Sequence, residues 1–506
     1  MQNNKIFKNF IGLSIFIGSL ILYSLTLAPG LLWGGGDFAT FQTAAFLGDI
    51  EIDRGIFSHP LWVILAHPFT KLPFRDVAWR ANFASAFFAS LALFFIFLSA
   101  YKITQSVWAS SFGAVSLGLS HTFWTYAVMP KVYSLNALLI SLCFLLLLIW
   151  REKRSNKYLY LFSFIYGLSI LNHIVMAILV GGFAIFIILQ LRETPQTKSI
   201  VSVFIKCCIF FLLGLSPYLY FSIRIGTSST IIGVMIGFFR GLLSSITSPS
   251  ALLKAIIWGI PLGVYQFPLT FIPGLVGLYV LRKTDLPLAL NILLIILGTF
   301  LFLLAAAEPG VGSVYVWNLH YYLQAYVVFA IAIAVGFKAL ENSWKPDNLL
   351  KVCKSIGFIV VVPVFLYALA PNIAPIVWTE VPDFRPLPGR NNFEYVLSPW
   401  KQNETGAREF GVSVLDSLPT KSILIADYSI WAVIRYLQVV DGYRRDVNLI
   451  KLPGYGDQVE LVLKYKDCSD VYFPDTYRYY NLEEIDKYFM IIPEGRIFRL
   501  VYKGLP

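Results

Sequence analysis

Apolar runs of roughly twenty residues, parted by short polar stretches, recur along most of the chain, and each is close to the length that crosses a hydrocarbon core of about 30 Å. They predict spans at 8–28, 81–101, 106–124, 132–150, 158–172, 174–192, 203–223, 265–282, 286–306, 320–338 and 352–373. The fifth and sixth are short and meet at Leu-Asn-His (171–173), so one long broken span is an alternative there. Segment 60–72, PLWVILAHPFTKL, is apolar but too short to cross and suits an amphipathic helix lying at the interface. From about residue 385 the pattern turns mixed polar. SILIAD (422–427) predicts a strand, YSIWAVIRYLQVVDG a helix and VNLIKL (447–452) a second strand, which together make a β-α-β unit. VELVLKY (459–465), DVYFP and RIFRLVYKG (496–504) continue the α/β pattern.

The expected fold class is therefore an α-helical polytopic membrane protein of about 11 transmembrane helices with a small C-terminal α/β domain. We place the boundary between residues 1–379 and 380–506. Composition agrees: 57% of the 506 residues are hydrophobic and 14% charged, and the mean hydropathy is +0.68. The first run follows Lys5 and Lys8 and lacks a small-residue cleavage site, so it reads as a retained signal-anchor.

Charge sets the expected orientation. Residues 380–506 carry 16 Lys+Arg against 18 Asp+Glu, a net of −2, which leaves 24 against 11, a net of +13, for the first 379. Basic residues concentrate in short loops such as REKRSNK (151–157) and LRKTD (281–285), a topology signal that does not argue for nucleic acid. A cytoplasmic N-terminus and eleven alternating spans put these loops inside, and residues 29–80, 224–264, 307–319 and the tail outside. The cysteines (Cys143, Cys207, Cys208, Cys353, Cys468) show no disulfide framework or metal-ligand spacing. No glycine-rich nucleotide loop accompanies the first predicted strand of the tail.

All five histidines (His59, His67, His121, His173, His320) fall in outer loops or at outer span ends, which favours an outward-facing polar cavity. The first outer loop holds Asp37, Asp49, Glu51, Asp53 and Asp76. Asp37, in WGGGDFAT (33–40), follows three glycines that let the backbone take positive φ and approach a ligand. A carboxylate at that low-dielectric edge suits a general base, and a glycine-rich helix stop with a solvated aspartate is the competing account. DIEID (49–53) looks more like a solvated acidic turn. In PKVYSLN (130–136), Lys131 beside Tyr133, Ser134 and Asn136 either snorkels to the interface or offers a point charge to a phosphate at headgroup depth. Asn172 and His173 lie at the same depth, as do Asn318, His320, Tyr321, Tyr322 and Tyr326 where the tenth span begins.

The order GGGDFATFQTAAFLGD…SHP, PKVYSLN, GLSILNH and HYYLQAYVVFAIAIAVG resembles the GT-C glycosyltransferase superfamily, within it the transmembrane O-mannosyltransferase-like family and its prokaryotic relatives. ILIADYSIWAVIRYLQVVDGYRRDV (423–447) is similar to the region that follows the spans in the prokaryotic relatives. The resemblance implies inverting transfer of a sugar from a polyprenyl-phosphate donor to a hydroxyl of a protein or glycan acceptor, at the outer face of the cell membrane. Carried over by position, Asp37 is the general base and His59 belongs to the His-Pro motif closing the loop, while Lys131, Tyr133, Asn136, Asn172, His173, His320 and Tyr321 line the donor site. No metal or other cofactor is expected, because a lipid phosphate is a good leaving group. The chain departs from the family at Thr40, where an acidic residue is usual, and at LWVIL (61–65), which replaces a proline-rich continuation. A transporter or flippase predicts polar groups near mid-span and paired halves, and neither is visible. A non-catalytic scaffold binding a partner through its tail gives the outer-edge lysine and histidines no reason to cluster.

Overall fold

The computed structural model describes residues 2–34, 37–50, 59–192, 200–225, 240, 261–306, 319–344, 349–381, 384–453, 458–468 and 470–504. Its helices run α1 (Gln2–Leu25), α2 (Phe38–Leu47), α3 (Pro60–Thr70), α4 (Val77–Thr104), α5 (Val107–Gly118), α6 (His121–Ala127), α7 (Val132–Lys153) and α8 (Lys157–Asn172). They continue as α9 (Val180–Arg192), α10 (Ile200–Ile225), α11 (Phe271–Thr284), α12 (Leu286–Ala306), α13 (Leu323–Trp344) and α14 (Leu349–Val377). Among the described residues, 8 helices are long and apolar enough to cross a membrane. The protein is an integral membrane protein.

Two of the eleven predicted spans are shorter than expected, and a third is as short as predicted. Segment 106–124 is broken: α5 ends at Gly118, Ser120 is extended (φ −65°, ψ 138°), and α6 restarts at His121 for 7 residues. Segment 158–172 is the 16-residue α8, and 265–282 yields the 14-residue α11. At a rise of about 1.5 Å per residue each is shorter than the 8 long apolar helices, which run to 18 residues or more. At Leu-Asn-His the chain does not pass through as one broken span. His173 is extended (φ −161°, ψ 130°), Arg154 at the foot of α8 donates to Gln190 O near the end of α9, and the chain reverses between them. The expected interfacial helix is α3, with Trp62, Val63 and Ala66 buried. Helix α2 was not foreseen, so Asp37 begins a helix and does not merely follow one.

At the centre of the bundle, the middle of α13 from Val327 to Gly336 is apolar on every side, with Val327, Val328 and Ala330–Ala334 fully buried. Without a hydrophobic drive between helices in lipid, close backbone approach supplies the packing. A Cβ on Gly277 of α11 would lie 1.8 Å from Ala332 O, and one on Gly336 of α13 would lie 1.8 Å from Pro273 O. Only glycine fits at that crossing. Small residues serve α4 similarly, where Ala81, Ala84, Ala89 and Ala92 are fully buried.

The tail forms the predicted β-α-β unit: β1 (Ile423–Ala426), a helix (Tyr428–Val439) and β2 (Asn448–Lys451). With β3 (Val471–Phe473), β4 (Phe489–Glu494) and β5 (Ile497–Tyr502) it makes a sheet of order β2-β1-β3-β5-β4. β1 is parallel to β2 and β3, and β5 is antiparallel to β3 and β4. We number the helices flanking β1 as α15 (Gly406–Ser417) and α16 (Tyr428–Val439).

The first loop is built into this layer. Trp33, 2% exposed, sits in one cluster with Phe410, Val414, Val433 and Leu437. Gly34 N donates to Ser429 O at 3.0 Å, and a Cβ on Gly34 would fall 2.6 Å from Tyr428 O. Lys401 N donates to Thr26 O, and Tyr265 Oη to Leu397 O. Sheet layer and bundle are thus docked through backbone as well as side chains.

Gly277→Val and Gly336→Val should each lower the thermal unfolding midpoint in detergent, at a cost of about 3 kcal/mol from overpacking. Gly18→Val, whose Cβ meets nothing within 4 Å, should leave the midpoint unchanged in the same assay.

Candidate active site

Two short helices open the site, each on a residue in the left-handed region. Asp37 (φ 68°) precedes α2 and His59 (φ 54°) precedes α3, and neither side chain caps its helix. Non-glycine residues take this conformation uncommonly, and surrounding structure must hold them there. The glycines were expected to supply positive φ, yet Asp37 itself adopts it. Gly34 is instead required by packing, and Gly35 and Gly36 lie outside the described residues.

Freed from its cap, the Asp37 carboxylate turns to two partners. Lys131 Nζ donates to Oδ2 at 3.2 Å, with side-chain exposures of 11% for Lys131 and 21% for Asp37. Tyr428 Oη donates to Oδ1 at 2.7 Å, and the same hydroxyl lies 2.8 Å from Thr40 Oγ1. Lys131 precedes α7, and its ammonium also lies over the Phe38 ring at 5.7 Å and the Phe41 ring at 5.0 Å. Phe41 stacks in turn on His59, and His59 on His173 (4.9 Å, 14°).

The histidine protons follow from their partners. A carbonyl only accepts, so His59 Nδ1, 2.8 Å from Asn172 O, carries a hydrogen. His173 Nδ1 accepts from Val175 N at 3.1 Å. Its hydrogen therefore sits on Nε2, and the ring is a neutral donor in this arrangement. Asn172 Nδ2 donates to Asn136 Oδ1 and to Val132 O, tying the end of α8 to the start of α7. Tyr133 packs on His173 and on His320 (4.5 Å), and His320 packs on Tyr321. Tyr126 Oη lies 3.1 Å from His320 Nδ1.

The structure thus brings Asp37, Thr40, His59, Lys131, Tyr133, Asn136, Asn172, His173, His320 and Tyr321 into one continuous cluster. Other groups expected at the outer edge lie elsewhere. His67 Nδ1 meets Ala45 O at 2.8 Å, and His121 is wedged against Tyr265 and Tyr367. Asp76 caps α4 through Trp79 N and pairs with Arg408 of the tail. Glu51, Asp53 and Asn318 lie outside the described residues.

Sequence reasoning passed over Tyr428, which comes from the tail. It opens α16 directly after β1, a strand flanked on both sides by parallel neighbours. Ligand-facing residues gather at the carboxyl ends of such strands where the strand order reverses, so Asp-Tyr after SILIA was a usable signal. Asp427 anchors this turn. It accepts from Ser429 N and Tyr480 Oη, and Arg385 bridges it to Asp475. Burial lowers the Arg385 pKa, but the two carboxylates outweigh it and hold the guanidinium above its ordinary value.

Residues 58–198 match a family model described as the protein O-mannosyl-transferase TMEM260 N-terminal domain, a stretch that includes His59, Lys131 and His173. The crystal structure of ArnT from Cupriavidus metallidurans in the apo state superposes with a TM-score of 0.55 at 14% identity, covering 96% of this chain and 97% of that one. The fold is of the GT-C type. In sequence, this chain is 23% identical over 487 residues to protein O-mannosyl-transferase tmem260 of Dictyostelium discoideum, covering 87% of this chain and 56% of that protein. It is 25% identical over 241 residues to mouse TMEM260, covering 45% of this chain and 33% of that protein. The chain therefore aligns with about half the length of the first relative and a third of the second.

Arg385→Met should destabilise the protein by about 3–5 kcal/mol, because it strands the buried Asp427 carboxylate without its countercharge. Thermal unfolding checks this, with Asp475→Asn expected to cost less, since Asp475 is the more exposed partner.

Proposed function

We propose that the protein transfers a sugar from a polyprenyl-phosphate carrier to a hydroxyl acceptor at the extracytoplasmic face of the membrane, with inversion at the anomeric carbon. The observation that carries this reading is a carboxylate and an ammonium held 3.2 Å apart at the mouths of two helices, beside imidazole and tyrosine donors. That the sequence relatives are protein O-mannosyl-transferases makes mannose the sugar, and protein hydroxyls the acceptors, to test first.

Asp37 takes the acceptor's hydroxyl proton as the acceptor oxygen bonds to the anomeric carbon. The bond from that carbon to the phosphate oxygen breaks on the opposite face, and its electron pair leaves with the phosphate. Lys131 meets the charge gathering there, supported by the neutral Nε2–H donor of His173. The same lysine pairs with Asp37 in this structure. An arriving lipid phosphate competes for Lys131, draws it off Oδ2 and opens that oxygen to the acceptor. Donor binding thereby readies the base. The polar groups gather at helix ends, an arrangement that suits chemistry at headgroup depth better than passage through the bilayer.

Asp37→Asn should lower transfer from a labelled polyprenyl-phosphate mannose to a serine- and threonine-containing peptide by about 10²–10⁴-fold with folding intact. Lys131→Gln should lower it by about 10²-fold or more. Undiminished turnover in purified Asp37→Asn protein would sink the assignment of the base.

A further inference from the structure

The hydrogen bond from Tyr428 to Asp37 spans 391 residues of sequence and joins the sheet layer to the first loop at the reacting carboxylate. Tyr428 has one hydroxyl proton. With that proton committed to Asp37 Oδ1 at 2.7 Å, the contact of 2.8 Å to Thr40 can form only if the Thr40 hydroxyl donates to Tyr428 Oη. The three groups form a directed chain, Thr40 to Tyr428 to Asp37. Thr40 lies one helical turn beyond Asp37 on α2, so both ends of the chain ride on the same element.

The phenol is fixed from its own side as well. Asp427 just before it is locked by Arg385 and Tyr480. Its ring stacks near Trp431 at 21°, and Lys451 Nζ lies 5.1 Å from both ring centroids.

We propose that Tyr428 is a positioning residue for Asp37, supplied by the C-terminal α/β layer, with Thr40 setting the direction of its hydroxyl. Resting on the transferase reading above, the inference gives the tail a part in the reaction and Thr40 a purpose. Tyr428 holds Oδ1 and thereby orients Oδ2, the oxygen that Lys131 vacates, toward the acceptor. A carboxylate at position 40 would meet Tyr428 Oη as a second acceptor and compete with Asp37 for its proton. Threonine donates instead. The titratable groups around Asp37 include Lys131, Tyr428, Tyr133, Tyr321 and His320. Of these, Tyr428 is contributed by the sheet layer.

The test uses the full chain in nanodiscs, with C55 polyprenyl-phosphate mannose as donor and a serine- and threonine-containing peptide as acceptor. Tyr428→Phe should lower kcat about 10–100-fold, the scale of one hydrogen bond to a charged group, with the donor KM changed less than about twofold. The acidic limb of its rate profile should move to higher pH, because a bond that favours the ionised carboxylate is gone. Thr40→Val should shift both quantities the same way by less, and the double variant should be no slower than Tyr428→Phe alone. An unmoved rate and pH profile in Tyr428→Phe, or a loss confined to donor KM, overturns the inference while Asp37→Asn still reports on the transferase reading. If Tyr428→Phe unfolds early, Thr40→Val decides alone, and an unchanged profile there overturns it. An active Asp37→Asn variant removes the base and this inference together.

Discussion

A lysine at the start of a helix is in the wrong place electrostatically. The helix dipole puts partial positive charge there, and a cation within the first turn is disfavoured by about 0.3–1 kcal/mol before burial is counted. Lys131 sits at the head of α7 with its side chain only 11% exposed. It is sustained by the Asp37 carboxylate and by the faces of Phe38 and Phe41. All three lie on or immediately before α2, so the pairing fixes where that short helix must dock. The constraint runs both ways, because a carboxylate at the head of α2 would ordinarily cap its own helix. Asp37 instead adopts a left-handed backbone and turns its oxygens toward α7 and the tail.

From this pairing the remaining geometry follows in layers. Phe41, one turn along α2, passes the contact from Lys131 to His59, and His59 passes it to His173 at the point where α8 and α9 reverse. The Asn172 amide bonds back to α7, so the reversal is tied to the helix that carries Lys131. On the other side, Trp33 and Gly34 embed the loop in the sheet layer and carry Asp37 to Tyr428. The walls of the site come from two helices, a helix reversal and the end of a parallel strand.

Thr40 reads differently along the chain and in space. Judged along the chain, it looks like the loss of an acidic group near Asp37. In three dimensions its hydroxyl meets a phenol that arrives from the tail. The histidines teach the complementary lesson. Three of the five converge, while His67 and His121 answer to local packing, because falling at the ends of apolar runs does not place residues around the same axis.

The amino-acid sequence by itself determined the membrane class, the β-α-β start of the tail and the main residue types of the site, because apolar run length, period-two alternation and rare polar residues at span ends are properties of consecutive positions. It did not set the length of each helix. A hydropathy window cannot see Ser120 breaking one helix, or the difference between a reversal and a kink at His173. Asp37 and Lys131 were legible singly, but their contact bridges 94 residues and that of Tyr428 with Asp37 bridges 391. Nothing in local pattern encodes such distances. Only the tertiary structure decided that the tail reaches into the site, because close-packed backbone at Gly34 and the buried Trp33 leave the sheet layer one way to dock.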